Sequence, residues 1–224
     1  MGKREEKIKK HNNWTKTINQ AKDKHTIELV KSISTFVKSV SKLEEQEKIS
    51  KEFDIFEQNT LDLIYKSLEE TYSLTSQSVT DIYDITTKTA KVKDLTYNGD
   101  GKTLEERLEQ YLSEILSYVS SREEIDWNVI KNSLNYRLML ILDTETQNVK
   151  IKVTQIKVEG HCEFAEVLPG VCCPGSGGIF PVDELDFPPY HPGCMCEVIY
   201  YEELTDDEQE IEDLELEVEQ IYYE

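Results

Sequence analysis

Between Cys162 and Cys196 the chain gathers all five of its cysteines and all six of its prolines, together with His191. Thiolate sulfur and imidazole nitrogen are the donors zinc prefers, and it takes about four of them in a tetrahedron. His191, Cys194 and Cys196 fall within six residues of one another, and Pro188, Pro189, Pro192 and Gly193 bend the backbone around them. Such turn residues let side chains two and three positions apart converge on one point. A fourth ligand is on offer from Cys172, Cys173 or Cys162. The spacing is Cys-Cys and Cys-x-Cys rather than the paired Cys-x-x-Cys of familiar zinc hairpins. The same residues have a plainer reading, as small buried hydrophobes in a tight loop with His191 bonded to a backbone carbonyl.

Other chemistry fits less well. His161-Cys162-Glu163 matches the H-x-E half of a zinc deaminase, and Pro192 to Cys196 approaches its P-C-x-x-C half. One residue separates Pro192 from Cys194, however, and the two cysteines that follow are one residue too close. No local signature of a papain-like nucleophile surrounds any cysteine. The Pro174 to Gly178 stretch, PGSGG, lacks the Lys-Ser/Thr end of a phosphate-binding loop and reads as a turn.

The chemistry-bearing stretch belongs to a chain of 224 residues, 38% hydrophobic and 31% charged. That composition suits one moderate core or two small ones. The longest apolar run, around Leu138 to Leu142, is far below the roughly 20 residues that span a bilayer. The start, MGKREEKIKK, lacks the apolar centre of a secretion signal, so the expected site of synthesis and residence is the cytoplasm of the producing cell. A reducing compartment and an odd cysteine count favour a metal site over a disulfide framework.

The net charge of −20 is unevenly spread. Residues 1–52 carry thirteen Lys or Arg against eight Asp or Glu, a net of +5 that leaves −25 for the rest. The basic start suits contact with phosphate or an acidic partner, while the acidic body repels DNA. From Glu197 to Glu224 there are thirteen acids and no base. Residues 203–224 therefore read as a solvated acidic tail, with Leu204, Ile211, Leu214, Leu216, Val218 and Ile221 able to fold onto a partner.

The elements that position the cysteines are mostly helical. Residues 1–25 are polar and poorly periodic, which predicts a flexible basic arm. Residues 26–100 form a helical N-terminal region: Leu29, Ile33, Phe36, Val40 and Leu43 recur at helical spacing, as do Phe53, Phe56, Ile64 and Leu68. The turn cluster Asn98-Gly99-Asp100-Gly101 marks a joint. Thr103 and Glu106 form a capping-box pair opening a helix with Leu104, Leu108, Tyr111, Leu112, Ile115 and Tyr118 on one face. A further helix after Arg122 carries Trp127, Ile130, Leu134, Leu138 and Ile141, and is expected to end near Thr144-Glu145-Thr146. From there Val149, Ile151 and Val153 alternate with polar residues, and the alternation resumes at Ile156 and Val158, predicting a strand pair or a bulged strand. GIFPV and EVIYY supply two more strands on either side of Pro188-Pro189. The expected fold class is α+β: a helical N-terminal region followed by a small Cys/His-rich α+β lobe, at 160–202, with short antiparallel strands.

The lobe resembles a known family. Gly178-Ile179-Phe180-Pro181-Val182-Asp183-Glu184, then Pro188-Pro189-Tyr190-His191-Pro192-Gly193-Cys194-Met195-Cys196 and a strand, is similar to the C-terminal domain of the minor head, or head morphogenesis, proteins of tailed bacteriophages typified by the Mu F protein. Arg137 and Thr144-Glu145 fall where that family places an R…TE helix. The likeness covers about residues 125–202, so that 101–202 reads as a head-morphogenesis-like domain. Two departures stand out: Met195 occupies the position where the family commonly has Arg, and the adjacent Cys172-Cys173 replaces an upstream Cys-x-x-Cys pair. The resemblance implies a structural protein without catalytic activity, held inside the virion near the portal. It implies the portal protein and other capsid proteins as partners; the charge of the basic arm suits contact with packaged DNA or the portal, and the short apolar runs predict no membrane span. A zinc-dependent hydrolase using Glu163, or a zinc-stapled adaptor of the host, are the competing expectations.

Overall fold

The computed structural model describes residues 3–85, 91–92, 102–122, 124–171, 173–175, 177–183, 188, 194 and 196–202. Among the described residues four helices precede a small sheet: α1 (Lys3–Val40), α2 (Gln46–Tyr83), α3 (Leu104–Ser120) and α4 (Trp127–Val158), then β1 (Phe164–Leu168), β2 (Gly178–Pro181) and β3 (Glu197–Tyr201). The fold is α+β, as the sequence implies.

Local chemistry sets the helix ends. Thr103 accepts from the Glu106 N–H while the Glu106 carboxylate accepts from the Thr103 N–H, the reciprocal cap that opens α3. Asp126 opens α4 by accepting from the N–H groups of Asn128 and Val129 at 2.9 and 3.3 Å. Asp84 ends α2 in the left-handed conformation, φ 56°, and its N–H donates to the Thr80 carbonyl.

α1 and α2 form a long antiparallel pair, each 38 residues or about 57 Å, and α4 packs against both. At the end far from the sheet their contact is apolar. Phe36 stacks on Phe56 at 4.1 Å between ring centroids and meets Phe53 edge-on at 4.9 Å, within a cluster that includes Leu29, Ile33, Ile64, Leu68, Leu134 and Leu138. α3 contributes Leu104, Leu108, Leu112, Ile115 and Val119 to that core. Two polar ties join it to α4: Tyr111 to Ser133 at 3.0 Å, and the Arg107–Glu145 ion pair.

The sheet has the order β2-β1-β3, with both pairings antiparallel. Ala165 faces Phe180 on one side and Tyr200 on the other, and Val167 faces Gly178 and Val198. Ala165, Val198 and Tyr200 pack with Val79, Ile82 and Tyr83 at the end of α2 and with Val158 at the end of α4. The opposite strand face carries the buried Glu166, to which Arg4 donates from Nε at 3.2 Å and Tyr201 from its hydroxyl at 2.6 Å. Side chains also close the outer edge of β3. The Tyr200 N–H donates to the Tyr83 oxygen at 3.1 Å, and Lys7 donates to the Tyr200 carbonyl at 3.4 Å.

Two expectations need correction. The segment 1–25, expected as a flexible arm, is helical from Lys3 and belongs to α1. Ile18 and His25 are 2% and 1% exposed, and the segment is held by Trp14 to Asp81 (2.9 Å), Lys22 to Asp143 (2.7 Å) and His25 to Glu70 (2.7 Å). Its partners are ionic and distant in sequence, so it shows no apolar period. The alternating run Val149 to Val158, expected as strand, continues α4 to Val158. There the helix lies between α1, α2 and the sheet and is buried around most of its circumference, with Val149, Lys150, Ile151, Val153, Lys157 and Val158 all enclosed. Burial on most sides blurs the one-faced pattern that marks a surface helix. GIFPV and EVIYY do form β2 and β3. The joint at 98–101 and the tail at 203–224 lie outside the described residues.

Candidate metal centre

β1 and β3 bring three thiols together. Cys173 follows β1 and closes a turn by donating its N–H to the Gly170 carbonyl at 3.0 Å, while Cys194 and Cys196 lead into β3, and the pairing of Leu168 with Glu197 sets these two ends side by side. The sulfur atoms of Cys173, Cys194 and Cys196 all lie within 4.8 Å of one another. Tetrahedral zinc–thiolate bonds of about 2.3 Å place sulfurs about 3.8 Å apart, so a contraction below about 1 Å converts this cluster into three corners of a metal site. Cys194 and Cys196 are buried, Cys173 is half-buried, and Val167 packs against the group. No disulfide joins the described cysteines. Soft, enclosed thiols are a donor set suited to a metal ion.

The surroundings orient the cluster. The Gly170 N–H donates to Cys196 Sγ at 3.4 Å. Gln147 of α4 donates to the Cys196 carbonyl at 2.6 Å, fixing the backbone beside the sulfur. The next residue, Glu197, accepts from Lys150 of α4 and faces His11 Nε2 of α1 at 3.2 Å. Burial raises the Glu197 pKa, but the Lys150 and His11 contacts outweigh it and hold the carboxyl below its usual range.

Of the six candidate ligands, the structure groups Cys173, Cys194 and Cys196 and places Cys162 elsewhere. Cys162 precedes β1 and sits with Val79, Ile82, Tyr83 and Val158, where burial pushes its thiol up to about 11. A group so placed behaves as an inert small hydrophobe. Cys172 and His191 lie outside the described residues.

The same strand separates the two halves of the deaminase-like pattern. Glu163 and His161 are exposed before β1, while the thiols gather past its end. At about 3.3 Å per residue, β1 alone keeps them about 13 Å apart. Glu163 instead donates its N–H to the Tyr201 carbonyl, and its own carbonyl accepts from Val182.

Sequence reasoning passed over the supporting residues Gln147, Lys150, Glu197 and His11. One signal was available: Glu197 is the lone charge in the apolar strand EVIYY, directly after a candidate ligand. The R…TE positions resolve in an unexpected way. Glu145 is fully buried and pairs with Arg107 of α3 rather than Arg137, whose guanidinium lies over the Tyr111 ring at 5.5 Å from its centroid. Burial pushes the Glu145 carboxyl up, against the pull of Arg107.

No family model matches this chain, and no curated protein or solved structure does.

Proposed function

We propose that this chain is a minor head protein of a tailed bacteriophage, a structural component carried inside the capsid near the portal, with a zinc-stapled C-terminal lobe. The observation that carries the reading is the convergence of Cys173, Cys194 and Cys196 at the end of β1, because the His-Pro-x-Cys-x-Cys element is the specific part of the resemblance and this convergence gives its cysteines a joint role. Three strands of four or five residues make a small sheet, and a metal cross-link between the ends of β1 and β3 suits such a sheet. Zinc supplies a fixed bond between those segments. Cys173, Cys194 and Cys196 hold it, and His191 or Cys172 completes the set.

The portal protein and neighbouring capsid proteins are the partners in this reading, and DNA contact falls to the basic residues of α1. A hydrolase is the weaker reading because its general base must reach the metal-bound water, and Glu163 lies at the other end of β1. A host zinc-stapled adaptor shares the lobe chemistry and differs in where the protein resides.

The test has two parts. Mass spectrometry of purified phage heads should find the chain, and its deletion should yield heads that fail to package DNA productively; absence from heads and procapsids overturns the assignment. Elemental analysis of anaerobically purified protein should find about one zinc per chain, lost in Cys194→Ser. A metal-free, folded protein overturns the zinc.

A further inference from the structure

The first three turns of α1 reach the sheet through residues spaced three and four apart. Arg4 meets Glu166, Lys7 meets the Tyr200 carbonyl and lies over the Tyr201 ring at 4.7 Å from its centroid, and His11 meets Glu197. This spacing puts all three on one side of the helix. The first fully buried apolar side chain of α1 is Ile18, more than a turn further on. Lys10 also donates to the Asp81 carbonyl of α2 at 3.1 Å and Lys7 lies over the Tyr83 ring, so docking of residues 4–11 is shared between the sheet and the end of α2, whereas the helix beyond Ile18 has the bundle core.

The position of Glu197 in turn depends on the thiol cluster. Cys196 and Glu197 are consecutive, so a shift of the Cys196 backbone also moves the backbone that carries the Glu197 carboxylate. α4 grips both residues, through Gln147 at the Cys196 carbonyl and Lys150 at the Glu197 carboxylate. α1 grips only the second, through His11. The path from thiol cluster to N-terminal helix is therefore one peptide unit and one hydrogen bond long.

We infer that metal binding at Cys173, Cys194 and Cys196 is thermodynamically linked to docking of the first three turns of α1 on the sheet. The inference rests on the zinc reading above. A filled site fixes Cys196, sets Glu197 between Lys150 and His11, and adds to the Lys10 and Trp14 contacts with Asp81 that hold residues 4–14. An emptied site loosens the start of β3 and weakens the docking of those turns, while the helix from Ile18 onward stays packed. Linkage is reciprocal: whatever factor zinc contributes to docking, docking contributes to zinc affinity.

The experiment is amide hydrogen exchange on the full chain with one equivalent of zinc and after removal by a chelator. Exchange in residues 4–14 should quicken by about tenfold on metal removal, with residues 53–68 of α2 unchanged. In the reverse direction, Arg4→Ala and His11→Ala should each weaken zinc binding, read by competition with a chromophoric chelator, by about fivefold or more. Lys9→Ala, on the exposed side of the same helix, should leave it unchanged. Zinc binding with no change in exchange at 4–14, or with equal affinity in Arg4→Ala, His11→Ala and Lys9→Ala, overturns the linkage and leaves the zinc site standing. A full chain that takes up no zinc overturns both.

Discussion

The two ends of the α1–α2–α4 bundle are built from different materials. Far from the sheet, Leu29, Ile33, Phe36 and Val40 of α1 meet Ile49, Phe53, Phe56 and Ile64 of α2 in an apolar interior. Towards the sheet the interior is mixed: Thr71, Thr75 and Ser78 of α2 and Thr144, Glu145, Thr146, Asn148, Lys150 and Lys157 of α4 are enclosed among Val79, Val149, Val153 and Val158. Apolar contact is non-directional and strong per unit area, so the far end holds the helices together without help. Polar contact demands specific partners, and at the near end Lys150 finds one in the sheet, Glu197 of β3, while Glu145 finds Arg107 of α3. The bundle thus supplies most of the stability at one end and most of the positional specificity at the other.

That contrast is open to attack at three points. Phe56→Ala at the far end removes a ring stacked on Phe36 and should lower unfolding stability by about 3–5 kcal/mol, measured by urea denaturation. A cost below about 1 kcal/mol would break the claim that this end anchors the fold.

Cys162 sharpens the contrast, because it is an apolar pocket on the polar side. With its thiol pushed up to about 11 from a usual 9.0, it should react with iodoacetamide at pH 8 about a hundredfold more slowly than an exposed cysteine, as thiolate is the nucleophile. The rate should climb with pH until about 11, the range in which the folded thiol ionises. Mass mapping of alkylated sites checks this, and modification of Cys162 at the rate of a free thiol would show that its apolar enclosure opens readily.

The smallest effect has the opposite sign. The Thr71 hydroxyl is buried with no hydrogen-bond partner, so Thr71→Val should raise stability by about 1 kcal/mol, visible as a higher denaturation midpoint. A loss of that size would mean the hydroxyl has a partner, such as an ordered water.

The same division governs what the sequence reveals. α2 and α3 are legible because Phe53, Phe56, Ile64 and Leu68, or Leu104, Leu108 and Leu112, repeat at helical spacing against an apolar interior. The first turns of α1 are not, because Arg4 and His11 find Glu166 and Glu197 across separations of 162 and 186 residues. No local window contains both halves of those contacts. The last turns of α4 mislead for a related reason: enclosure on most sides made Val149 to Val158 look like alternating strand. At the metal centre, Cys194 and Cys196 announce themselves by spacing. The choice of Cys173 over Cys162 depends on which end of β1 adjoins β3's first residue, and only the antiparallel register decides that.

The Arg4–Glu166, Lys7–Tyr200 and His11–Glu197 contacts also impose an order on synthesis. Ribosomes add about 5–20 residues per second, so the first turns of α1 leave the exit tunnel roughly 10–40 s before β3 exists to receive them. Through that interval these side chains face the crowded interior of the cell, and the helix translated first is the one that must be completed last.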